Sequence, residues 1–235
     1  MGSSALKITI GGEEYAEKLA EVIAAAFAND PLNRYIIAHL DSAPNGAVIT
    51  QKQRVDHFLP GARKKAGAGA QLVEAGNWAG AALWVPPGSH LPALDPATAS
   101  GPLLEYMDKF GKVKARHLGS REYWYLNLIG RHPERTEPGI LPLPISSDAG
   151  TEGYADTAIG VARALIAPVL EKAKHENSPA WLEAINDHAR DVYAHFGFRV
   201  VEEVRIGEGK ADHSGNLVEG GEGILVYGMI FEPNA

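Results

Sequence analysis

The chain contains 235 residues, of which 45% are hydrophobic and 22% are charged. This is the composition of an ordinary globular protein that is long enough to build a substantial core. A formal net charge of −7 argues against a nucleic-acid partner held through phosphate contacts. With no cysteine in the chain, disulfides, thiol catalysis and Cys-ligated zinc are all excluded.

The sequence carries no sign of membrane targeting. The N-terminal sequence MGSSALKITI lacks a basic region followed by a long apolar run, so no signal peptide is predicted. No apolar stretch approaches the roughly 20 residues of a membrane span. We therefore expect a cytoplasmic protein with no membrane partner.

The first half of the chain predicts helices and short strands in alternation. A strand at residues 7–10 precedes a helix at 13–28, which ends at the turn signal Asn29-Asp30-Pro31. A hairpin is predicted to turn at Gly76-Asn77. Its two strands cover residues 71–74 and 78–85. Further helices are predicted at residues 32–40, 48–65 and 103–118.

The second half predicts a strand, a helix and a second strand in that order. A strand begins at Tyr123, and AWLEAI follows at residues 180–185. The helix between them carries one apolar stripe at helical spacing, formed by Ala162, Leu165, Ile166, Val169, Leu170 and Ala173. This order predicts a crossover between two parallel strands. A second helix leads to Phe198, and strands at 199–206 and 223–231 complete a single mixed sheet.

The segment from Pro133 to Thr157 is rich in proline, glycine and serine. A loop longer than about 15 residues in a compact domain is usually functional or disordered. Because composition does not shift and no repeat is found, we expect one domain over residues 1–235 with an inserted loop at about 135–156. That loop is either a lid over the acceptor pocket or a tolerated surface insertion.

Three segments taken in order resemble the core of the GNAT N-acetyltransferases. They read YWYLNLIGRHPE, TAIGVARALIAPVLEKA and WLEAINDHARDVYAHFGFRVVEE. The earlier segment AEVIAAAFANDPLNRYI is similar to the first helix and turn of the fungal and actinobacterial small-molecule branch of that family. The resemblance implies an α/β (α+β) fold in which a central mixed sheet, with splayed parallel strands at its centre, is flanked by helices.

The resemblance also implies acetyl-CoA as a co-substrate and no metal. The phosphate-binding motif of the family falls on residues 157–162, where Thr157 replaces the usual Gln or Arg. The amides that would meet the pyrophosphate are those of Ala158, Ile159, Gly160, Val161 and Ala162. The small residues in this stretch equally fit close packing of the helix on a strand. The nine histidines lack the HExxH spacing of a zinc site.

By the same resemblance, the backbone of Ile129, Gly130 and Arg131 pairs with the pantetheine arm and polarises the acetyl carbonyl. A glycine inside a strand also indicates a bulge or a close backbone approach. Asn186 either contacts pantetheine or is simply a helix N-cap. The second asparagine of the family in this helix is replaced by Ala189, so one cofactor hydrogen bond is missing.

Two residues are predicted to carry the proton transfers. Tyr193, seven residues after Asn186, corresponds to the general acid that protonates the departing thiolate, although a tyrosine there also fits simple packing. Glu183 is the candidate general base, acting directly or through a water. The predicted acceptor-pocket residues also have ordinary alternatives in helix, turn and hairpin cores; they are Phe27, Asn29, Asp30 and Trp84.

Taken together, these features predict an acyltransferase that moves acetyl from acetyl-CoA to a small-molecule amine by direct attack in a ternary complex. The alternative is a catalytically degenerate protein of the same fold that binds a ligand or partner, favoured by Thr157, Ala189 and the insertion. Acetylation of a protein N-terminus or lysine ranks lower, because the insertion would obstruct a peptide groove. The acceptor and the oligomeric state, a homodimer included, stay open.

Overall fold

The computed structural model of the protein describes residues 6–40, 48–96, 99–135 and 155–234. Within these ranges, seven strands form one sheet, and six α-helices cover it. The strands are β1 (Ile8–Gly11), β2 (Gln71–Ala75), β3 (Gly80–Val85), β4 (Trp124–Arg131), β5 (Ala180–Ala184), β6 (Arg199–Ile206) and β7 (Ile224–Phe231). The helices are α1 (Ala16–Ala26), α2 (Pro31–Leu40), α3 (Gln51–Gly67), α4 (Gly101–Leu118), α5 (Ala155–His175) and α6 (Asp187–His195).

The sheet has the strand order β1-β2-β3-β4-β5-β7-β6. Its neighbouring strands are antiparallel except β4 and β5, which run parallel as predicted. This parallel pairing covers only Trp124↔Ala180 to Leu126↔Leu182. Residues 127–131 of β4 continue beyond it with no described strand on the β5 side, so the two central strands part from Leu126 onward.

Two cores cover the two faces of the sheet. One face packs against apolar residues of α1 to α4, and the other against α5. The predicted stripe of α5 is confirmed, since Leu165, Ile166, Val169, Leu170 and Ala173 are all buried. Strands β4 and β5 are therefore fixed from both sides at their paired ends, which leaves their separated ends as a built gap.

Two glycines let helices sit directly on the sheet at this gap. A Cβ at Gly80 of β3 would lie 2.3 Å from Val161 Cγ1 on α5. A Cβ at Gly130 of β4 would lie 2.6 Å from Ala26 Cβ on α1. Both distances are far shorter than carbon–carbon contact. The close approach predicted at Gly130 is therefore real, and its partner is α1.

A β-bulge interrupts β4 at the point where the strands part. Leu128 lies opposite Leu83 and Leu126 lies opposite Trp84, so Asn127 has no partner on β3. An extra residue of this kind bends a strand and changes the direction of its side chains, often beside a functional site. None of the helices in the described ranges has the length and apolarity to traverse a bilayer.

Candidate active site

A cavity of about 790 Å³ lies at the gap between β4 and β5. Its floor is formed by residues of the two strands, and its walls come from the α1–α2 turn, α3, α4 and α6. Much of the lining is aromatic or aliphatic, including Phe27, Phe58, Leu103 and Met107. A concave and largely apolar cavity with few polar groups is the usual form of a small-molecule site.

The structure brings most of the predicted catalytic and acceptor residues to this one cavity. Those that line it are Phe27, Asn29, Asp30, Ile129, Glu183, Asn186 and Tyr193. They come from four separate parts of the chain, and only the fold assembles them.

Trp84 is the exception, and its predicted place in the acceptor pocket is wrong. Its side chain is 0% exposed, and its indole N–H donates to the Leu165 carbonyl of α5 at 3.0 Å. The side chains of β3 alternate between the two cores, and Trp84 falls on the α5 side with Trp124. Because β3 is apolar on both faces, its sequence did not reveal which of its side chains point toward α5.

Glu183 lies at the floor of the cavity, but its carboxylate is already fully engaged. It accepts hydrogen bonds from Lys114 Nζ at 3.1 Å, from the Trp181 indole N–H at 2.7 Å and from the Tyr125 hydroxyl at 2.8 Å. Its side chain is only 3% exposed. Burial alone would lower the pKa of Lys114, but the adjacent Glu183 carboxylate raises it above the usual range. The two residues form a buried ion pair.

Asp30 is another carboxylate that lines the cavity, and its environment contrasts with that of Glu183. It directly precedes α2, and its Oδ1 accepts from the Asn33 backbone N–H at 2.7 Å and from Asn33 Nδ2 at 2.6 Å. Its Oδ2 is buried and has no hydrogen-bonding partner in the described part of the chain. Burial raises the pKa of Asp30 from 3.8 to about 6. A carboxylate in this condition is ionised at neutral pH and remains a good proton acceptor.

Tyr193 projects from α6 into the cavity. Its ring packs edge-on against Phe198, with 6.2 Å between the centroids. Its hydroxyl has no hydrogen-bonding partner among the described residues. Burial raises the pKa of Tyr193 well above its ordinary value, so the phenol stays protonated. Tyr193 therefore packs its ring, as one interpretation of the sequence predicted, and also keeps a hydroxyl that can donate a proton.

Asn186 begins α6 as its N-cap. Its Oδ1 accepts from the Ala189 backbone N–H at 2.8 Å, which settles one of the two alternatives left by the sequence. The residue also borders the cavity, as does Ala189. The capping bond occupies Oδ1 and leaves the Nδ2 donors for other partners.

The expected phosphate-binding amides are placed differently from the sequence prediction. Helix α5 begins at Ala155, and only the first four N–H groups of a helix lack an intrahelical partner. The amides of Gly160, Val161 and Ala162 thus belong to the body of the helix. Ala158 and Ile159 lie in its first two turns, and their side chains, with the predicted inserted loop over 136–154, are outside the described residues.

The end of β4 offers a free strand edge instead. Ile129, Gly130 and Arg131 pair with β3 on one side, while their other side faces the gap. Ile129 lines the cavity, and Gly130 packs on α1. Arg131 lies opposite Gly80, and its buried Nη1 has no hydrogen-bonding partner among the described residues. Desolvation by burial lowers the pKa of its guanidinium.

Sequence reasoning missed three residues that shape this site. Asn127 lines the cavity, Tyr125 links it to Glu183, and Lys114 neutralises Glu183 from α4. The signal for Asn127 is a lone amide inside the apolar run YLNLIG, where a polar side chain needs a partner or a purpose. No local pattern marks Lys114, since its partner lies 69 residues away.

The chain is similar in sequence to two yeast proteins whose functions are not characterised. No protein-family model matches the chain. It is 28% identical over 218 residues to the uncharacterized protein YDR391C of Saccharomyces cerevisiae, covering 92% of this chain and 83% of the relative. It is 24% identical over 202 residues to the uncharacterized N-acetyltransferase C550.08 of Schizosaccharomyces pombe, covering 77% and 70%.

Solved structures match over nearly the whole chain. An acetyltransferase of Corynebacterium glutamicum, named histone acetyltransferase HPA2 and related, gives a TM-score of 0.55 at 20% identity over 98% of both chains. The chain has the GNAT acetyltransferase fold. The GNAT-like mixed sheet predicted from the sequence is thereby confirmed.

Two further solved structures have a similar fold. The polyamine N-acetyltransferase of Drosophila melanogaster gives a TM-score of 0.56 at 12% identity, covering 96% of this chain and all of that one. The C-terminal condensation domain of Ebony gives 0.62 at 12% identity, covering 97% and 99%. At these identities the likeness concerns the fold, and activity must be argued from the site.

Proposed function

We propose that the protein transfers an acetyl group from acetyl-CoA to a primary amine of a small molecule. The observation that carries the proposal is that Asp30 and Tyr193 line one cavity where β4 and β5 separate, and that neither Asp30 Oδ2 nor the Tyr193 hydroxyl has a hydrogen-bonding partner among the described residues. One group accepts a proton and the other donates one, as acyl transfer from a thioester to an ammonium ion requires. The polyamine and arylalkylamine N-acetyltransferases with similar folds support an amine acceptor.

The described residues fit acetyl-CoA. Residues 127–131 of β4 offer an unpaired strand edge to the two amide groups of pantetheine, with Ile129, Gly130 and Arg131 as the predicted contacts. Asn186 has Nδ2 donors left for the same arm. We assign the diphosphate to the start of α5, because helix N-termini attract anions and the predicted motif overlaps this end. Acetyl-CoA supplies the activated acetyl group.

The residues of the chain would divide the proton transfers as follows. Asp30 accepts one proton from the ammonium group, so that the nitrogen lone pair can attack the acetyl carbonyl carbon. A backbone N–H of β4 near Ile129 stabilises the charge on the carbonyl oxygen. When the carbon–sulfur bond breaks, Tyr193 donates its proton to the sulfur and regains one released by the nitrogen. The net products are an amide, a thiol and one proton, which leaves through Asp30.

Assigning the base to Asp30 revises the expectation placed on Glu183. Three donors already occupy the Glu183 oxygens, one of them the ammonium of Lys114. Taking up a proton would break this buried ion pair, which is costly. Asp30 lines the cavity, and its Oδ2 has no hydrogen-bonding partner in the described part of the chain. We therefore propose Asp30 as the base and Glu183 as the anchor of the cavity floor.

The walls of the cavity favour an acceptor with an apolar body. Phe27 and Phe58 stack edge-on at 5.6 Å, and Leu103 and Met107 of α4 line the same space. An aromatic or alkyl amine buries its carbon skeleton there and brings its ammonium to Asp30. A protein acceptor is less suited, because a concave cavity does not accommodate an extended backbone.

Two measurements test the proposal. Calorimetry with acetyl-CoA should give binding in the micromolar range, and a panel of 2-phenylethylamine, agmatine and putrescine should yield acetylated product by mass spectrometry. A protein that does not bind acetyl-CoA at millimolar concentration is instead the catalytically degenerate binding protein that Thr157 and Ala189 suggest. Binding without product on any amine would overturn the amine acceptor while keeping the cofactor.

A further inference from the structure

Asn127 stands at the point where the cavity meets the sheet. It is the extra residue of the β4 bulge and the first residue after the last β4–β5 pair. It therefore has no strand partner on either side, and its side chain lines the cavity. A bulge that releases one polar residue from a buried ladder beside a cavity directs that residue toward a ligand.

The orientation of the Asn127 amide is fixed by its neighbours. Its Nδ2 donates to the Tyr125 hydroxyl at 3.1 Å, and that hydroxyl donates its own proton to Glu183 at 2.8 Å. Because the Tyr125 proton is already used, its oxygen can only accept from Asn127. Reversing the amide would set two acceptor oxygens against each other. The Asn127 oxygen must therefore point away from Tyr125.

At its other end, this series of hydrogen bonds is held in place at Glu183. Lys114 and the Trp181 indole hold one oxygen of the carboxylate, and Tyr125 contacts the other. Lys114 Nζ also lies 4.4 Å from the centre of the Tyr125 ring, a favourable cation–π contact. Four side chains thus determine the direction of a single amide oxygen.

That oxygen, Asn127 Oδ1, is buried without a partner among the described residues. The same holds for Asp30 Oδ2, and both residues line one cavity. Buried acceptors without partners are costly, and native proteins retain few of them. An occupant of the cavity that carries more than one hydrogen-bond donor could satisfy both oxygens. A primary ammonium has three donors, whereas a hydroxyl has one.

We propose that Asn127 is a specificity-determining residue whose Oδ1 accepts an N–H from the amino group of the acceptor, with Tyr125 as its positioning residue. This inference rests on the proposed function. Asp30 receives one N–H and Asn127 a second, so the nitrogen lone pair is held in one direction. An alcohol satisfies only one of the two oxygens, and the site therefore selects amines over alcohols.

The test uses Asn127→Leu, which keeps the size of the side chain and removes its polar atoms. The probe is the fastest amine of the panel, together with the alcohol of the same skeleton as a competitive inhibitor, such as 2-phenylethanol for 2-phenylethylamine. We expect the KM of the amine to rise at least about tenfold. The inhibition constant of the alcohol and the affinity for acetyl-CoA should each change less than about twofold.

Tyr125→Phe should move the amine KM in the same direction by a smaller factor, because the Asn127 amide is then free to rotate. Tyr123→Phe is the matched control, since Tyr123 lies two residues away, does not line the cavity and should leave both constants unchanged. An unchanged amine KM in Asn127→Leu, or equal losses for amine and alcohol, would overturn the inference. A wild-type protein that acetylates no amine would overturn the proposed function itself.

Discussion

Two carboxylates of the cavity, Glu183 on its floor and Asp30 on its α1–α2 wall, have contrasting environments. Glu183, on the floor, accepts hydrogen bonds from a cation and two further donors. Asp30, on the α1–α2 wall, uses one oxygen to hold the start of α2, and its other oxygen has no hydrogen-bonding partner among the described residues. The difference shows how one cavity can contain a carboxylate for structure and a carboxylate for chemistry.

These environments determine how each carboxylate charge affects the stability of the folded protein. The Glu183 charge is compensated, so it stabilises the fold as part of an ion pair. Desolvation of the Asp30 charge outweighs the hydrogen bonds from Asn33, so the charge raises the free energy of the folded state and keeps its affinity for a proton. Active sites commonly hold such poorly compensated groups at a cost in stability. Each experiment below either preserves or removes this asymmetry.

The largest expected effect is the loss of turnover caused by Asp30→Asn. Asparagine keeps an oxygen for the Asn33 contacts but cannot accept the proton, so turnover should fall by about 100-fold to 10,000-fold. In the wild type, kcat/KM should rise with pH through the Asp30 pKa of about 6, and the variant should lose this acid limb. Steady-state rates from pH 5 to 8 check both statements. Retention of the limb in Asp30→Asn would transfer the base role to another group.

Stability should respond in opposite directions at the two residues. Glu183→Gln leaves the Lys114 ammonium without its counter-charge in a buried position, so unfolding free energy should fall by about 3 kcal/mol. Asp30→Asn should raise it at pH 7 by up to about 3 kcal/mol, the equivalent of a pKa shift from 3.8 to about 6. Urea unfolding of both variants measures the contrast.

The pH dependence gives this contrast a sharper form. Because the folded-state pKa of Asp30 is raised, the folded protein binds more protons than the unfolded chain between pH 4 and 6. The contribution of Asp30 to the unfolding free energy of the wild type should therefore decline as pH rises through this window. The gain from Asp30→Asn should be small at pH 4 and complete above pH 7. A gain that is equal at both pH values would point to packing instead of charge.

The smallest effect concerns Tyr193→Phe. Loss of the phenolic proton should lower turnover by at least tenfold, about 1.4 kcal/mol of barrier, while affinity for acetyl-CoA stays close to that of the wild type. The ring and its contact with Phe198 remain, so the fold is kept. Single-turnover rates and calorimetry separate the two quantities. Unchanged turnover would remove Tyr193 from the mechanism.

Much of the fold could be read from local periodicity. The stripe on α5 and the order of strand, helix and strand are short-range patterns, and the structure reproduces both. Several site residues followed from the resemblance, because α6 fixes Tyr193 at a constant distance from Asn186. These are the parts of the site in which one secondary element sets the geometry.

The remainder depends on contacts between distant segments. Strict alternation along β4 would place Gly130 on the α5 side, whereas the bulge at Asn127 turns it toward α1. The pairing of Lys114 with Glu183 and the unpaired oxygen of Asp30 also have no local signature. The sequence therefore identified which carboxylates are present but could not distinguish the compensated one from the reactive one.

The bulge has a consequence for how this site can change. Since Asn127 is an extra residue, a chain lacking it would keep Leu126 and Leu128 opposite their present neighbours in an uninterrupted ladder. A one-residue deletion would thus repair the strand and abolish the amide oxygen in a single event. The regularity of this strand and the recognition of an amine thus make opposite demands on a single position of the chain.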